Sequence, residues 1–177
     1  MLKRIALAAA LGVALAAAGI AAAAAVTHQS SASSNATAGR VTLHTTKLGK
    51  VLATSSGRTL YLFMADKHGR SACYGKCATD WPPLMKKGKV SVSSGLKAQL
   101  LGTTKRKNGK LQVTYKGHPL YLFSLDHGAG QTAGQGLNFF GGRWFVLSAA
   151  GKAIKKSPPP GGGTTTGSTT TYTNPYP

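Results

Sequence analysis

Acid is what this chain is short of. Among 177 residues only Asp66, Asp80 and Asp126 are acidic, against 22 lysines and arginines, and there is no glutamate at all. That poverty leaves a formal net charge of +19. It also argues against an all-oxygen cation cage, which usually takes about six or more oxygen ligands. Cysteine is nearly as scarce: both copies lie in Cys73-Tyr-Gly-Lys-Cys77, and none sits near the N-terminus to accept a lipid. There is no Gly-x-Ser-x-Gly elbow, and His44, His118 and His127 have no evident Ser or Cys partner with an acid to orient them. Nucleophilic catalysis therefore finds no support. The glycine-rich stretch 128–136 lacks the Gly-Lys-Ser/Thr ending of a phosphate-binding loop, and 128–142 reads as a flexible surface loop.

The two ends read as segments outside the folded unit. Met1-Leu-Lys-Arg4 is a short basic stretch before an uncharged, alanine-rich run from Ile5 to Val26. This is the pattern of a secretory signal peptide over residues 1–25, with Ala23-Ala-Ala25 at the cleavage positions. The run is also long enough to cross a bilayer, which takes about 20 apolar residues. An uncleaved anchor is thus the alternative, and it is the sole membrane attachment the sequence suggests. Alanine is weakly apolar and no basic cluster follows Val26, which favours cleavage. On either reading the chain is exported. Residues 26–40 read as a flexible spacer, and 157–177, rich in Pro, Gly and Thr, as a disordered tail. Residues 41–156 remain to build one domain.

Outside the cytoplasm, the counterparts of so basic a chain are anionic envelope polymers and lipid head groups, towards which its field draws it. The cations fall in short runs (Lys86-Lys87, Lys105-Arg106-Lys107, Lys155-Lys156) with no aromatic platform between them. That argues against a nucleic-acid groove. The plainer alternative is charge that serves only solubility.

The chain then repeats itself. Gly57-Arg-Thr-Leu-Tyr-Leu-Phe-Met-Ala-Asp66 returns as Gly117-His-Pro-Leu-Tyr-Leu-Phe-Ser-Leu-Asp126, with no insertion. Repeat 1 spans about residues 49–84 and repeat 2 about 109–147. Each reads as a β-hairpin, Lys50–Thr54 with Thr59–Phe63 and Lys110–Tyr115 with Pro119–Phe123, turning at a glycine suited to positive φ. Side chains on a strand alternate, so Leu60 and Leu62 face one way and Tyr61 and Phe63 the other, as do Leu120/Leu122 and Tyr121/Phe123. Both faces are apolar, which puts these strands at the centre of the fold. Between the repeats, Val90–Val92 reads as a strand. Ser93 or Ser94 would then cap a short helix through Leu96, Ala98, Leu100 and Leu101, ended by Gly102. Lys105–Gly109 reads as a basic turn and Arg143–Leu147 as the last strand. The fold expected is mainly β, two tandem hairpin repeats in a pseudo-twofold small sheet or barrel-like domain.

Three groups of residues carry possible chemistry. Asp66 and Asp126 sit where the chain leaves the strand, and a carboxylate there accepts amides one to three residues on. The sharper alternative brings the two together as an acid/base pair for a hydrolase or isomerase. Cys73 and Cys77, in an exported chain, read as a structural disulfide. Its alternative is a copper or thiol-redox site of Cys73, Cys77, His68 and Met64, a soft ligand set that suits Cu(I). Trp81 and Trp144, at matched places, read as core plugs, or less simply as an exposed platform for a carbohydrate or aromatic ligand. On the leading reading no cofactor is needed.

The segments Tyr61-Leu-Phe-Met-Ala-Asp66 and Tyr121-Leu-Phe-Ser-Leu-Asp126 resemble the Tyr-x-[Phe/Trp/Tyr]-x-x-Asp motif of a bacterial family of secreted repeats and predicted lipoproteins of unknown function. Cys73-x3-Cys77 followed by Asp80-Trp-Pro-Pro-Leu84 is similar to the end of that family's first repeat. Gln112–Tyr121 and Gly134-Gln-Gly136 before Trp144 are similar to its second. The likeness runs from about Val41 to Leu147. It implies an exported protein but no activity, and the chain departs from the lipoprotein form in lacking a lipid-accepting cysteine. A non-enzymatic binding or structural module of the cell envelope is the function expected.

Overall fold

A computed structural model describes residues 37–156. The segments read as signal peptide and tail, and most of the spacer, lie outside the described residues. Strand β1, Thr37–Thr46, begins inside the segment read as spacer, so residues 37–40 belong to the sheet. It turns back through two residues into β2, Gly49–Thr54. The Thr46 hydroxyl accepts the Leu48 amide at 3.1 Å and donates to the Gly49 carbonyl at 2.9 Å, closing this turn. Strand β4, Met85–Val92, runs parallel to β1. It also meets β6, Leu111–Tyr115, which pairs antiparallel along its length with β5, Leu101–Lys105. With β7, His118–Pro119, these form a six-stranded sheet in the order β2-β1-β4-β6-β5, β7 pairing to β6. A second sheet has the order β3-β9-β8, from Tyr61–Phe63, Gly142–Val146 and Asn138–Phe139. The architecture is mainly β, a curled half-barrel.

The shared glycine serves two different turns. In repeat 1 the Gly57 amide bonds Thr54 O and the Thr54 amide bonds Arg58 O, a three-residue loop with Gly57 at φ 82°. This is the glycine-bulge form of hairpin. In repeat 2, Lys116 and Gly117 alone make the turn, at φ 51° and 77°, between paired Tyr115 and His118. Two positive φ values in a two-residue loop match the twist of antiparallel strands. The tighter turn slips the register by one residue. The Leu60 amide bonds Leu52 O, whereas the Leu120 amide bonds Val113 O rather than that of Gln112. A one-residue slip exchanges strand faces, so Gln112 stands where repeat 1 has Val51.

Both hairpins are shorter than their sequences suggest. Beyond Leu60, β3 pairs with β9 rather than β2, and beyond Leu120 the chain meets Tyr61 and Pro83 through Tyr121. The helix expected after Ser93 is a 3-10 turn, Ala98–Leu100, without a side-chain cap. Leu101 and Gly102 open strand β5, and the following turn occupies only 106–109. Leu96, Leu100 and Leu101 do have helical spacing. They reach the core as partly buried side chains of irregular backbone and strand, so packing overrode the local pattern. Among the described residues the α-helix is α1, Lys76–Asp80, which begins inside the cysteine segment of repeat 1.

The alternation in the two signature strands divides the interior. Leu60, Leu62, Leu120 and Leu122 belong to one apolar cluster with Val41, Leu52 and Val113. Tyr61, Phe63, Tyr121 and Phe123 belong to another, with both tryptophans and both cysteines. All eight are buried. Leu84 and Leu147, each three residues after its Trp, tie the hairpins to this centre. The Leu52 amide bonds Leu147 O at 2.9 Å and the Val113 amide bonds Leu84 O at 2.8 Å.

Candidate functional site

The repeats meet backbone to backbone at Tyr61 and Tyr121. Each amide bonds the other's carbonyl, at 2.9 and 3.0 Å. Directly opposed residues of this kind share a face, and each phenol reaches into the other repeat. The Tyr61 hydroxyl donates to Asp126 Oδ2 at 2.6 Å, and the Tyr121 hydroxyl donates to Asp66 Oδ2 at 2.9 Å. The second carboxylate oxygens staple the loops that follow. Asp66 Oδ1 accepts the Ala72 amide at 2.8 Å, and Asp126 Oδ1 the Ala133 amide at 2.9 Å. The span is six or seven residues, so these bonds close whole loops rather than the one-to-three-residue turns expected.

The aromatic rings obey the same pseudo-symmetry. Trp81 and Trp144 stack on each other with centroids 3.9 Å apart and planes 6° from parallel. Phe63 stacks on the far side of Trp144 at 4.0 Å and Phe123 on Trp81 at 4.2 Å, each phenylalanine on the other repeat's tryptophan. Tyr61 and Tyr121 set their edges against Trp81 and Trp144, at 5.3 and 5.1 Å. The four-ring stack is wholly interior, both tryptophans being 0% exposed, so neither offers a platform to a ligand. Removing one such ring would cost about 3–5 kcal/mol.

Burial governs the titration here. It is the leading cause that pushes the Asp66 carboxyl up to about 6, against the Ala72 amide, the Tyr121 hydroxyl and the charge of Arg106, which favour the anion. Asp126, 1% exposed, is raised as well, again by burial first, with Tyr61, Ala133, Arg58 and His127 opposing. Both phenols are held far above their ordinary range, by burial and then by the charge of the facing carboxylate. His118 is lowered by burial and by neighbouring Lys116.

The two carboxylates therefore have separate partners and separate settings. Asp126 is interior. Asp66 is half-buried and lines a cleft of about 240 Å³ with His68, Lys116 and His118. Cys73 and Cys77 are joined as a disulfide, with Cα atoms 5.2 Å apart, packed against the aromatic cluster. Met64 is half exposed and borders a different cleft, beside Asn138 and Arg143. His68 lies in the turn after Asp66 at φ 51°. The bonded cysteines, Met64 and His68 thus line no common cleft, and no group of three or more His, Cys, Asp or Glu residues is positioned for a metal among the described residues.

The loop 128–142 is pinned, not a flexible surface loop. Gly130 donates to Gly57 O, the Thr59 hydroxyl donates to Gln131 O, and Gln135 bridges the Val146 amide and Ile154 O. Gly134 is buried so close beneath Trp81 that a Cβ there would lie 2.6 Å from the indole. Sequence reasoning missed this, and it missed Arg106. That guanidinium is 6% exposed and bonds Ser71 Oγ at 2.9 Å, Cys73 O at 2.6 Å and Gln112 Oε1. Its signal was faint: an arginine between two lysines, and a glutamine that the ungapped repeat sets against Leu52.

The family model Lipoprotein_15, described as a secreted repeat of unknown function, matches residues 42–85 and 102–148. The chain belongs to this family of secreted repeats, and the protein is extracytoplasmic. Comparison with curated proteins and with solved structures gave no match.

Proposed function

We propose that the domain is a non-enzymatic binding module of the cell envelope, held to anionic polymers there by its charge. The observation that carries this reading is the exchange of Tyr61 and Tyr121 between repeats. It employs both signature carboxylates in fastening the halves, and the remaining acid, Asp80, is met by Lys76 at 3.8 Å. The residues that recur in both repeats thus serve architecture, and the large excess of lysine and arginine over acid is left as the property available to a partner. Cys73 and Cys77 are spent on each other, so copper binding has no specific observation in its favour.

The test is retention of the purified protein on isolated envelope material at low and high salt. Screening shrinks the reach of exposed charge to about 3 Å at 1 M salt. Retention at low salt with release at high salt is expected. No retention at low salt, or retention indifferent to salt, would contradict the reading.

A further inference from the structure

The proposed binding of anionic polymers names no place on the molecule. Resting on that reading, we propose that the cleft between the disulfide loop and the β5–β6 turn is a site for phosphate groups of such a polymer. The cleft, about 540 Å³, gathers Arg70, Lys105, Arg106 and Lys107 with the hydroxyls of Ser71 and Tyr74 and no acidic residue in its lining. Bringing four like charges together costs free energy that an anion would offset.

What separates this cleft from scattered surface charge is how Arg106 is held. Its guanidinium is buried among neutral acceptors: Ser71 Oγ, Gln112 Oε1 and Cys73 O. These use three of its N–H donors, of the five an arginine carries. The carboxylate of Asp66, which feels its charge, is linked to it through Ser71 and Tyr121, whose oxygens lie 2.8 Å apart. The Tyr74 ring lies under both Arg106, 4.4 Å from the centroid, and the Lys107 ammonium, at 4.9 Å. Tyr74 is in turn fixed by its place inside the Cys73–Cys77 ring. A guanidinium already oriented loses little freedom on meeting a phosphate, whose oxygens its planar fork matches. Gln112, paired across the β5–β6 hairpin with Thr104 and bonded to Arg106, and the disulfide, found in repeat 1, both support this one place. Around it Arg70, Lys105 and Lys107 are exposed and able to follow a chain of charges.

The experiment compares the full protein with two triple variants that lose equal charge from exposed positions. R70A/K105A/K107A strips the cleft rim, and K50A/K87A/K97A strips the surface elsewhere. Thermal melting confirms that both remain folded. The probes are polyphosphate, polyglutamate, vesicles containing phosphatidylglycerol, and inorganic phosphate. We expect polyphosphate affinity to fall about tenfold or more in the rim variant, the loss of about 1.4 kcal/mol, and about threefold or less in the other. Inorganic phosphate should shift the Tyr74 and Arg106 side-chain resonances of the intact protein and leave those of the rim variant unmoved. Loss confined to vesicle binding would still support the site and assign it to a lipid head group. Equal weakening of both variants would overturn the site while sparing the wider reading. Failure of the intact protein to bind any polyanion at low salt would overturn both.

Discussion

The two repeats share a signature and differ in nearly everything around it. In repeat 2 the carboxylate of Asp126 is 1% exposed, its loop runs back under the tryptophan stack at Gly134, and the Trp144 indole donates to Phe139 O at 3.3 Å. In repeat 1, Asp66 is half-buried, its loop is closed by a disulfide, and no acceptor among the described residues meets Trp81 Nε1. The invariant part is what crosses between repeats: Tyr to Asp, Phe onto Trp, Leu onto Leu. Each of these contacts is made by one repeat on the other, so neither half completes its core alone. The periphery, released from that duty, is where the repeats diverge. Repeat 1 carries the disulfide loop, and the basic cleft lies between that loop and residues 103–107.

Removing one hydroxyl at a time should separate the halves most clearly. Tyr61→Phe leaves Asp126 Oδ2 without its donor in the interior, and stranding a buried polar group costs about 1–3 kcal/mol or more for a charge. Tyr121→Phe leaves Asp66 similarly short, but closer to solvent and near Arg106. Chemical denaturation should therefore find Tyr61→Phe the more destabilised variant. Equal losses, or a larger loss for Tyr121→Phe, would mean that the depth of the two carboxylates does not matter as argued.

A smaller effect should appear with pH. Asp66 titrates at about 6 in the fold against 3.8 for the free side chain, so the native state holds the proton more tightly. Such a group favours folding most below the lower value, and its contribution is lost as pH rises through the window between them. Asp126 shifts in the same direction. The melting temperature should accordingly fall from pH 4 to pH 6 through these groups. Asp66→Asn should flatten that slope, its amide still able to accept from Ala72 and to donate to Tyr121. A slope unchanged in Asp66→Asn would remove Asp66 as its source.

The alternation of Leu with Tyr and Phe made the central strands legible, because a strand apolar on both faces must be covered on both. Strand β1 was not legible. Its first residues share the Ser/Ala/Thr composition of a spacer, and only pairing with β2 and β4 makes them a strand. The cysteines could be read as a disulfide and the tryptophans as core residues, but not the tryptophans as neighbours of each other, since which rings stack depends on how the repeats dock. The same limit hid the site. A repeated Asp signals a local task, yet whether it meets its own tyrosine or the other repeat's is decided by the crossing at Tyr61 and Tyr121. Arg106 was hidden because its acceptors, Ser71, Cys73 and Gln112, come together only where the disulfide loop meets the β5–β6 hairpin.

The crossing is the centre of the account, and a pair of double-mutant cycles on folding stability tests it most directly. Tyr121→Phe with Asp66→Ala joins residues of different repeats that are hydrogen-bonded at 2.9 Å. Tyr61→Phe with Asp66→Ala joins residues of the same repeat whose side chains bond no group in common. The first cycle should give a coupling of about 0.5–3 kcal/mol, and the second should be additive within about 0.5 kcal/mol. Coupling within the repeat and additivity across it would contradict the interlock.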